Sequence, residues 1–582
     1  MAGPLILPTA AAAAAARPSA TVVNRPPALE GQRLTAQSVA RQRLVVLLLL
    51  FLAVPPLLAL RLTDLAIFEA RPEASRTVTG SAPPRADIVD RNGVELARTI
   101  EAYAVSVEPR KLASNPAVLA HRIAAVLPET TEAEILAELT HKGQFRYISR
   151  RVLPSEAKRI NDIGEPAIYL RREAERLYPN ISLAAHAIGY ADDKGIGKVG
   201  MEKAFDTRLG GKDTREQPLQ LALDVRVQQA LEHELRALYL DQRAKGAAGV
   251  VLDVDTGEIV AMTSLPDFNP NRPGQSDDDS RYNKVTFAGY ELGSTFKALT
   301  IASALNAGTI KSMQQKYDAT RPIYMGGFRI RDDHAKNRWL TVPEIFIHSS
   351  NIGTARIAME AGRDTQRAML ESLGFFKQVE VELPERARPQ YPPLSNWGDL
   401  ATMTIAYGHG ITVTPLHLAN AYATVVNGGI YRAPTLLKRA PGDVPAGRRV
   451  FTSATSDTMR ALLRLVVTNG TGRKANAPGY RVGGKTGTAE KIANGRYVRG
   501  ANVSTFAAAF PMDKPRYVIV AMVDDPRGSK STYGFKTAGM VVAPAISRLV
   551  QRIGPILGVQ PDASKDIDVA SLLANANDAP TE

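Results

Sequence analysis

Five apolar, strand-like runs lie in two groups about 200 residues apart, and that arrangement limits the fold more than any other feature. The first group is AGVVLDV and EIVAMTS, which flank Asp255-Thr256-Gly257. Two apolar runs around such a turn read as a β-hairpin. The second group is RVGGKTGTAEKI, VSTFAAAFP and RYVIVAMVDD, near residues 481 to 525. The segment between them has mainly helical spacing. Strands at both ends with helices between predict an α/β domain, with an antiparallel sheet flanked by helices that closes late in the chain. We place this domain at residues 236–558.

The chain has 582 residues, too long for one ordinary domain. Residues 44 to 60, LVVLLLLFLAVPPLLAL, are 17 uncharged residues. As a helix they span about 25 Å, near the lower limit for a bilayer. Arg17, Arg25, Arg33, Arg41 and Arg43 precede them against one acid, Glu30. The positive-inside rule then leaves residues 1–43 as a cytoplasmic low-complexity tail, makes 44–62 one transmembrane helix and exports the rest. A cleaved signal peptide is the rival, but its apolar core would be shorter. The net charge of +14 favours anionic surfaces such as membrane. It does not indicate nucleic acid, because the basic residues are scattered. With no cysteine, disulfides, thiolate catalysis and cysteine zinc sites are excluded.

Residues 63–235 read as an elongated α+β domain without an obvious catalytic grouping. PPRADIVDRNGVELAR carries alternation and a turn signal at Asn92-Gly93. GYADDKGIGKVGMEKAFD is glycine-rich, and residues 113 to 160 are helical in spacing. The polar segment 559–582 is expected to be a disordered tail.

GSTFKALTIASALNAG, residues 293 to 308, is apolar all round yet carries Ser294 and Lys297 at its head. Such a helix is buried on every side. Three residues apart, Ser294 and Lys297 share one face. Desolvation disfavours the ammonium form and lowers a lysine's pKa. A neutral lysine can take a serine proton, the arrangement of covalent catalysis. A lysine tethered to a buried carboxylate is the alternative. Ser155 and Lys158 repeat the spacing among charged neighbours, as on a solvated helix face.

Two further motifs follow in order. Ser349-Ser350-Asn351 lies 55 residues on, and Lys485-Thr486-Gly487-Thr488 another 136. The ordered set Ser-x-x-Lys, Ser-x-Asn, Lys-Thr-Gly resembles the penicilloyl-serine transferases, which include penicillin-binding proteins and serine β-lactamases. Ser350 stands where β-lactamases carry aspartate, which matches transpeptidases better. RADIVDRNG and GKVGMEKAFD resemble the pedestal (dimerisation) motifs of class B penicillin-binding proteins. YGHGITVTPLHLANAYATVVNGG resembles their segment before the third motif, with His409 where glutamine is expected and Ala86 where the pedestal usually has glycine. The context of residues 470 to 491 resembles the cell-division branch more than the elongation branch.

The resemblance implies these roles. Ser294 attacks a peptide carbonyl and becomes the acyl ester, with Lys297 as general base. Ser349 relays a proton to the leaving amine, and Asn351 holds a substrate amide. Lys485, Thr486 and Thr488 meet the substrate's terminal carboxylate, and Gly487 lets the strand approach closely. Backbone N–H groups of Ser294 and Thr488 form the oxyanion hole. It further implies a peptidoglycan D,D-transpeptidase that acts on stem peptides, is acylated by β-lactams, needs no cofactor or metal, and faces the periplasm from the inner membrane. A glycosyltransferase of the shape–division polymerase family and other division proteins are the implied partners.

Other readings are weaker. Gly479 to Thr486 fits the P-loop pattern, with Asp524 as its second acid, but a P-loop follows a strand and opens a helix. Here KANAPGY precedes it and an Asn494-Gly495 turn follows. No Gly-x-Ser-x-Gly elbow marks a Ser-His-Asp hydrolase, and His334 beside Asp332 and Asp333 reads as a polar turn. A non-enzymatic division scaffold need not have kept all four of Ser294, Lys297, Ser349 and Lys485. A carboxypeptidase, a β-lactamase or an elongation-type transpeptidase would share the acylating residues.

Overall fold

The computed structural model describes residues 41, 43–56, 84–493 and 496–574. Residues 43–56 are helical with exposed side chains. Among the described residues no helix is long and apolar enough to cross a membrane. The continuation of the expected span to residue 62, most of the 1–43 tail and the Asn494-Gly495 turn lie outside the described residues.

From residue 84 onward two sheets organise the chain. The first joins β1 (Ile88–Val89), β2 (Glu95–Val107), β3 (Arg146–Val152), β4 (Ile168–Leu177) and β5 (Leu219–Gln220). β2 pairs antiparallel with β1, β3 and β4, while β1 pairs parallel with β5. The Asn92-Gly93 signal makes the turn between β1 and β2. Asp90 Oδ1 accepts the N–H groups of Asn92 and Val94 at 2.7 and 2.8 Å, and Gly93 supplies the left-handed residue at φ +87°. Glu202, from the glycine-rich stretch, is fully buried and holds Arg85 and Arg176 at 2.9 and 2.7 Å. It thereby ties the segment before β1 to β4.

α1 (Val225–Asp241) leads into the second sheet. Although the expected boundary at 235/236 falls inside α1, the helix packs as one piece: Val227, Leu231, Leu235 and Leu238 share one core with the second sheet. A helix whose apolar stripe meets one surface along its length cannot be divided between domains.

That sheet contains β6 (Gly246–Asp253), β7 (Ile259–Leu265), β8 (Gly483–Ala493), β9 (Arg496–Phe510) and β10 (Tyr517–Asp524). The order is β8-β9-β10-β6-β7, antiparallel throughout. The two sequence groups meet at β10 and β6, where Val520 faces Val250. Alternate residues enter opposite cores. Val518, Val520 and Met522 join the core with α2 (Phe296–Asn306), α4 (Pro415–Val426) and α5 (Ser453–Asn469). Ile519, Ala521 and Val523 join the core of α1 and α6 (Ala543–Ile556). With helices on both faces, the strands read as continuous apolar runs. Each fully buried Val or Ile contributes about 1.5–3 kcal/mol.

The tail from 559 corrects an expectation of disorder as far as residue 574. Asp566 accepts from Arg464 at 2.6 and 2.8 Å, Asp562 O accepts from Arg481 at 2.7 Å, and Leu572 joins the larger core. Composition misleads here because two buried arginines on the folded domain supply the partners of this acidic segment.

Candidate active site

α2 begins where three stretches of backbone converge. Ser294 lies in the single 3-10 turn Gly293–Thr295 that enters α2. A Cβ on Gly408 would overlap Gly293 O, and a Cβ on Gly487 would overlap Leu292 O. Only residues without a Cβ let the 408 loop and strand β8 press on the serine turn this closely. From α4, Tyr422 donates its hydroxyl hydrogen to Thr295 O at 2.8 Å and holds the turn from beneath.

Lys297 is 0% exposed on the first turn of α2, and Lys485 is 0% exposed on β8. Both amines reach the same residue. Lys297 Nζ donates to Ser349 Oγ at 3.0 Å and to Ser349 O, while Lys485 Nζ donates to Ser349 Oγ at 2.9 Å. Ser349 adopts φ +58°, a left-handed conformation that costs a serine about 1–3 kcal/mol. It thereby sits between the helix Val342–Ile347 and α3 (Asn351–Ala361).

Burial pushes Lys297 down to about 7, and the charges of Asp332 and Asp333 pull it partly back. Burial, then the charge of Lys297, holds Lys485 well below the usual lysine range. Two adjacent buried ammonium ions are costly, so a neutral amine is available within the trio.

The remaining expected residues surround it. Ser350 caps α3, accepting from Gly353 N at 2.9 Å. Asn351 Nδ2 donates to Arg331 O at 2.9 Å. Thr486 Oγ1 bonds Thr471 Oγ1 at 2.8 Å, and Thr488 Oγ1 accepts from Ala538 N at 3.2 Å. The structure thus brings Lys297, Ser349 and Lys485 into direct contact and sets Gly487 against the serine turn. Among the described residues Ser294 Oγ has no hydrogen-bond partner.

Two families of sequence match this chain. The penicillin-binding protein transpeptidase domain matches residues 247–547, and the penicillin-binding protein dimerisation domain matches residues 81–229. The chain is 39% identical over 508 residues to the probable peptidoglycan D,D-transpeptidase FtsI of Caulobacter vibrioides, covering 85% of each. It is 30% identical over 511 residues to the peptidoglycan D,D-transpeptidase FtsI of Escherichia coli, covering 82% of this chain and 84% of that one. The chain is a class B penicillin-binding protein of FtsI-like type. Its fold is similar to that of penicillin-binding protein 3 from Mycobacterium tuberculosis, solved with aztreonam. The TM-score is 0.66 at 25% identity, with 84% of this chain and 99% of that one covered.

In this penicillin-binding protein two residues that motif reading did not single out, Asp332 and Glu291, support the site. Asp332, read only as part of a polar turn, accepts from Ser350 Oγ at 2.7 Å and from Ile352 N at 2.9 Å. It therefore anchors the second motif and places a negative charge near Lys297. Glu291 accepts from Gly410 N at 2.6 Å and from the Tyr497 hydroxyl at 3.2 Å, with His409 Nδ1 3.6 Å away. Burial and the charge of Lys297 push His409, the departure noted at the glutamine position, down to about 4 against the opposing charge of Asp333, and so favour its neutral form. Charged residues between motifs are the one sequence signal that could have marked Asp332 and Glu291, and solvated loops give the same signal.

Proposed function

We propose that this penicillin-binding protein is a peptidoglycan D,D-transpeptidase of septal wall synthesis, acting through an acyl ester on Ser294. The observation that carries this reading is the pair of buried amines, Lys297 and Lys485, on one hydroxyl, Ser349 Oγ. Ser294 Oγ attacks the carbonyl before the terminal D-alanine, and neutral Lys297 takes its proton. Ser349, between the two lysines, passes a proton to the leaving amine. Lys485 and Thr486 receive the terminal carboxylate. Once that carboxylate arrives, an opposite charge beside Lys485 favours its ammonium form. Asn351 holds the penultimate residue's amide, and the N–H groups of Ser294 and Thr488 stabilise the oxyanion, an effect worth a few kcal/mol. The segment 44–62, with its apolar run 44 to 60, anchors the chain in the inner membrane with its catalytic domain outside the cytoplasm. A shape–division family glycosyltransferase and other division proteins are its partners.

A penicillin presents a strained amide and a carboxylate to the same groups, so it acylates Ser294. Digestion of the labelled protein yields the adduct on the peptide carrying Ser294. A label on Ser155, or no covalent adduct, is incompatible with the reading.

The acylation rate also depends on pH with a definite sign. Burial depresses Lys297 to about 7, so the neutral amine grows as pH rises through that value. Acylation rises about tenfold per pH unit below 7 and levels off above it. A rate measured from pH 5 to 9 that is flat, or falls with rising pH, removes Lys297 from the role of base.

A further inference from the structure

Between the first and second motifs the chain makes a short hairpin that acylation as described does not use. Its strands are Ile323–Met325 and Phe328–Ile330, paired antiparallel with Tyr324 opposite Arg329. Gly326 and Gly327 make the two-residue turn, both with left-handed backbone at φ +56° and +80°. One face is packed: Ile330 is buried with Ala355, Met403 and Tyr407, and Ile323 and Met325 pack against them. The base of the hairpin is fastened to the site. Arg331 O accepts from Asn351 Nδ2 at 2.9 Å, and Asp332 holds Ser350 and Ile352. Tyr407 precedes Gly408, which presses on the serine turn.

The tip has no such packing. Tyr324 is 70% exposed and Phe328 59%, and neither joins the buried cluster. Arg329 Cζ lies 5.8 Å from the centre of the Tyr324 ring, within cation–π reach. Arg321, Arg329 and Arg331 are exposed and make no ion pair among the described residues, with the exposed acid Asp333 beside them. Aromatic faces next to unpaired guanidinium groups suit a sugar. A pyranose ring has C–H bonds on its faces and hydroxyls around its rim, so it needs flat apolar surface beside hydrogen-bond donors. Two aromatic side chains bury about 300–500 Å², well short of the roughly 1,200 Å² of a stable protein interface. They suffice for a ligand already tethered to the enzyme elsewhere, because a tether gives the second contact an effective concentration in the mM range.

We infer that the hairpin tip binds the glycan strand from which the donor stem peptide hangs. The inference rests on the transpeptidase reading above and deepens it. Asn351 uses one amide N–H on Arg331 O, which leaves its Oδ1 for the substrate amide. Phe328 lies three residues from Arg331, about 10 Å along the strand. A stem peptide leaving Asn351 covers the same distance in about three extended residues, so its first sugars reach Tyr324 and Phe328. Arg329 and Arg331 meet sugar hydroxyls and the carboxylates of the stem. The contact is weak alone and counts only when the peptide is seated. It therefore selects donors still joined to a glycan over free peptides of the same sequence.

Full-length protein in detergent is given two donors at subsaturating concentration: soluble uncross-linked peptidoglycan strands, and the same stem peptides cut from the sugar by an amidase. The readout is the rate of D-alanine release in the first turnover, which needs no acceptor. Tyr324→Ser combined with Phe328→Ser lowers the rate on the glycan-linked donor about tenfold. Arg329→Gln lowers it about threefold. The changed side chains are exposed and outside the buried cluster, so the rate on the free peptide and the rate of penicillin acylation stay within about twofold, and melting temperature checks the fold. An unchanged rate on the glycan-linked donor overturns the proposal and leaves the hairpin to a protein partner. An equal fall on both donors also overturns it, because that places these residues in the peptide site. Failure of the transpeptidase reading shows separately, and the proposal falls with it: the unmodified protein would then release D-alanine from neither donor and take no penicillin.

Discussion

Lys297→Arg slows penicillin acylation by about 10²-fold or more, as expected when a general base is removed. Arginine keeps the charge and most of the length, yet does not give up its proton in a protein. In the native site burial brings Lys297 to about 7, within reach of neutrality. A permanent guanidinium there would press a fixed charge on Lys485, whose amine already shares Ser349 Oγ. The site is fully buried, so overpacking could also cost about 1–3 kcal/mol. Melting temperature is therefore measured beside the rate. Lys297→Met supplies the second arm: it keeps an unbranched chain of similar volume and removes the amine. Both variants lose acylation if the amine is the base. A folded Lys297→Arg that acylates near the original rate shows that charge alone matters and that the base lies elsewhere.

Gly487→Ala is the second large effect. Its new methyl group would meet Leu292 O and approach Thr295 Cγ2 to 2.9 Å. Neither obstacle yields easily. Leu292 O already accepts from Thr295 Oγ1 at 2.9 Å, and Thr295 is pinned through its carbonyl by Tyr422. Strand β8 must instead move away from the serine turn by roughly an ångström, a misplacement that can cost about 10² in rate. We expect acylation to fall by that order, with a stability loss of about 1–3 kcal/mol. Stopped-flow acylation and thermal unfolding read the two effects separately. Acylation within about threefold of the original rate would show that close contact between β8 and the turn is not required.

What could be read without the fold was local. The Asn92-Gly93 and Asp255-Thr256-Gly257 turns are written in residues that tolerate left-handed backbone, and period-2 burial explains the unbroken apolar runs of β6 and β10. The three motifs named chemistry because nucleophile and base need particular functional groups. Their short spacings also placed Ser294 and Lys297 on one helical turn. By itself the sequence therefore determined the strands of the second sheet, the turns and the inventory of reactive groups, whereas β3 (Arg146–Val152) lies in a stretch whose spacing reads as helical.

The tertiary structure alone decided how those groups act together. Lys297 and Lys485 reach Ser349 across separations of 52 and 136 residues, which no local pattern encodes. The depressed amines follow from burial, a property of the packed core and not of any short segment. Asp332 looks like any loop acid until the fold sets it against Ser350 and Ile352. The segment after 559 reads as a solvated tail, yet Arg464 and Arg481 capture Asp566 and the Asp562 carbonyl. In each case the deciding energy is a contact between distant segments, and it exists only once the sheet joining β10 to β6 has closed.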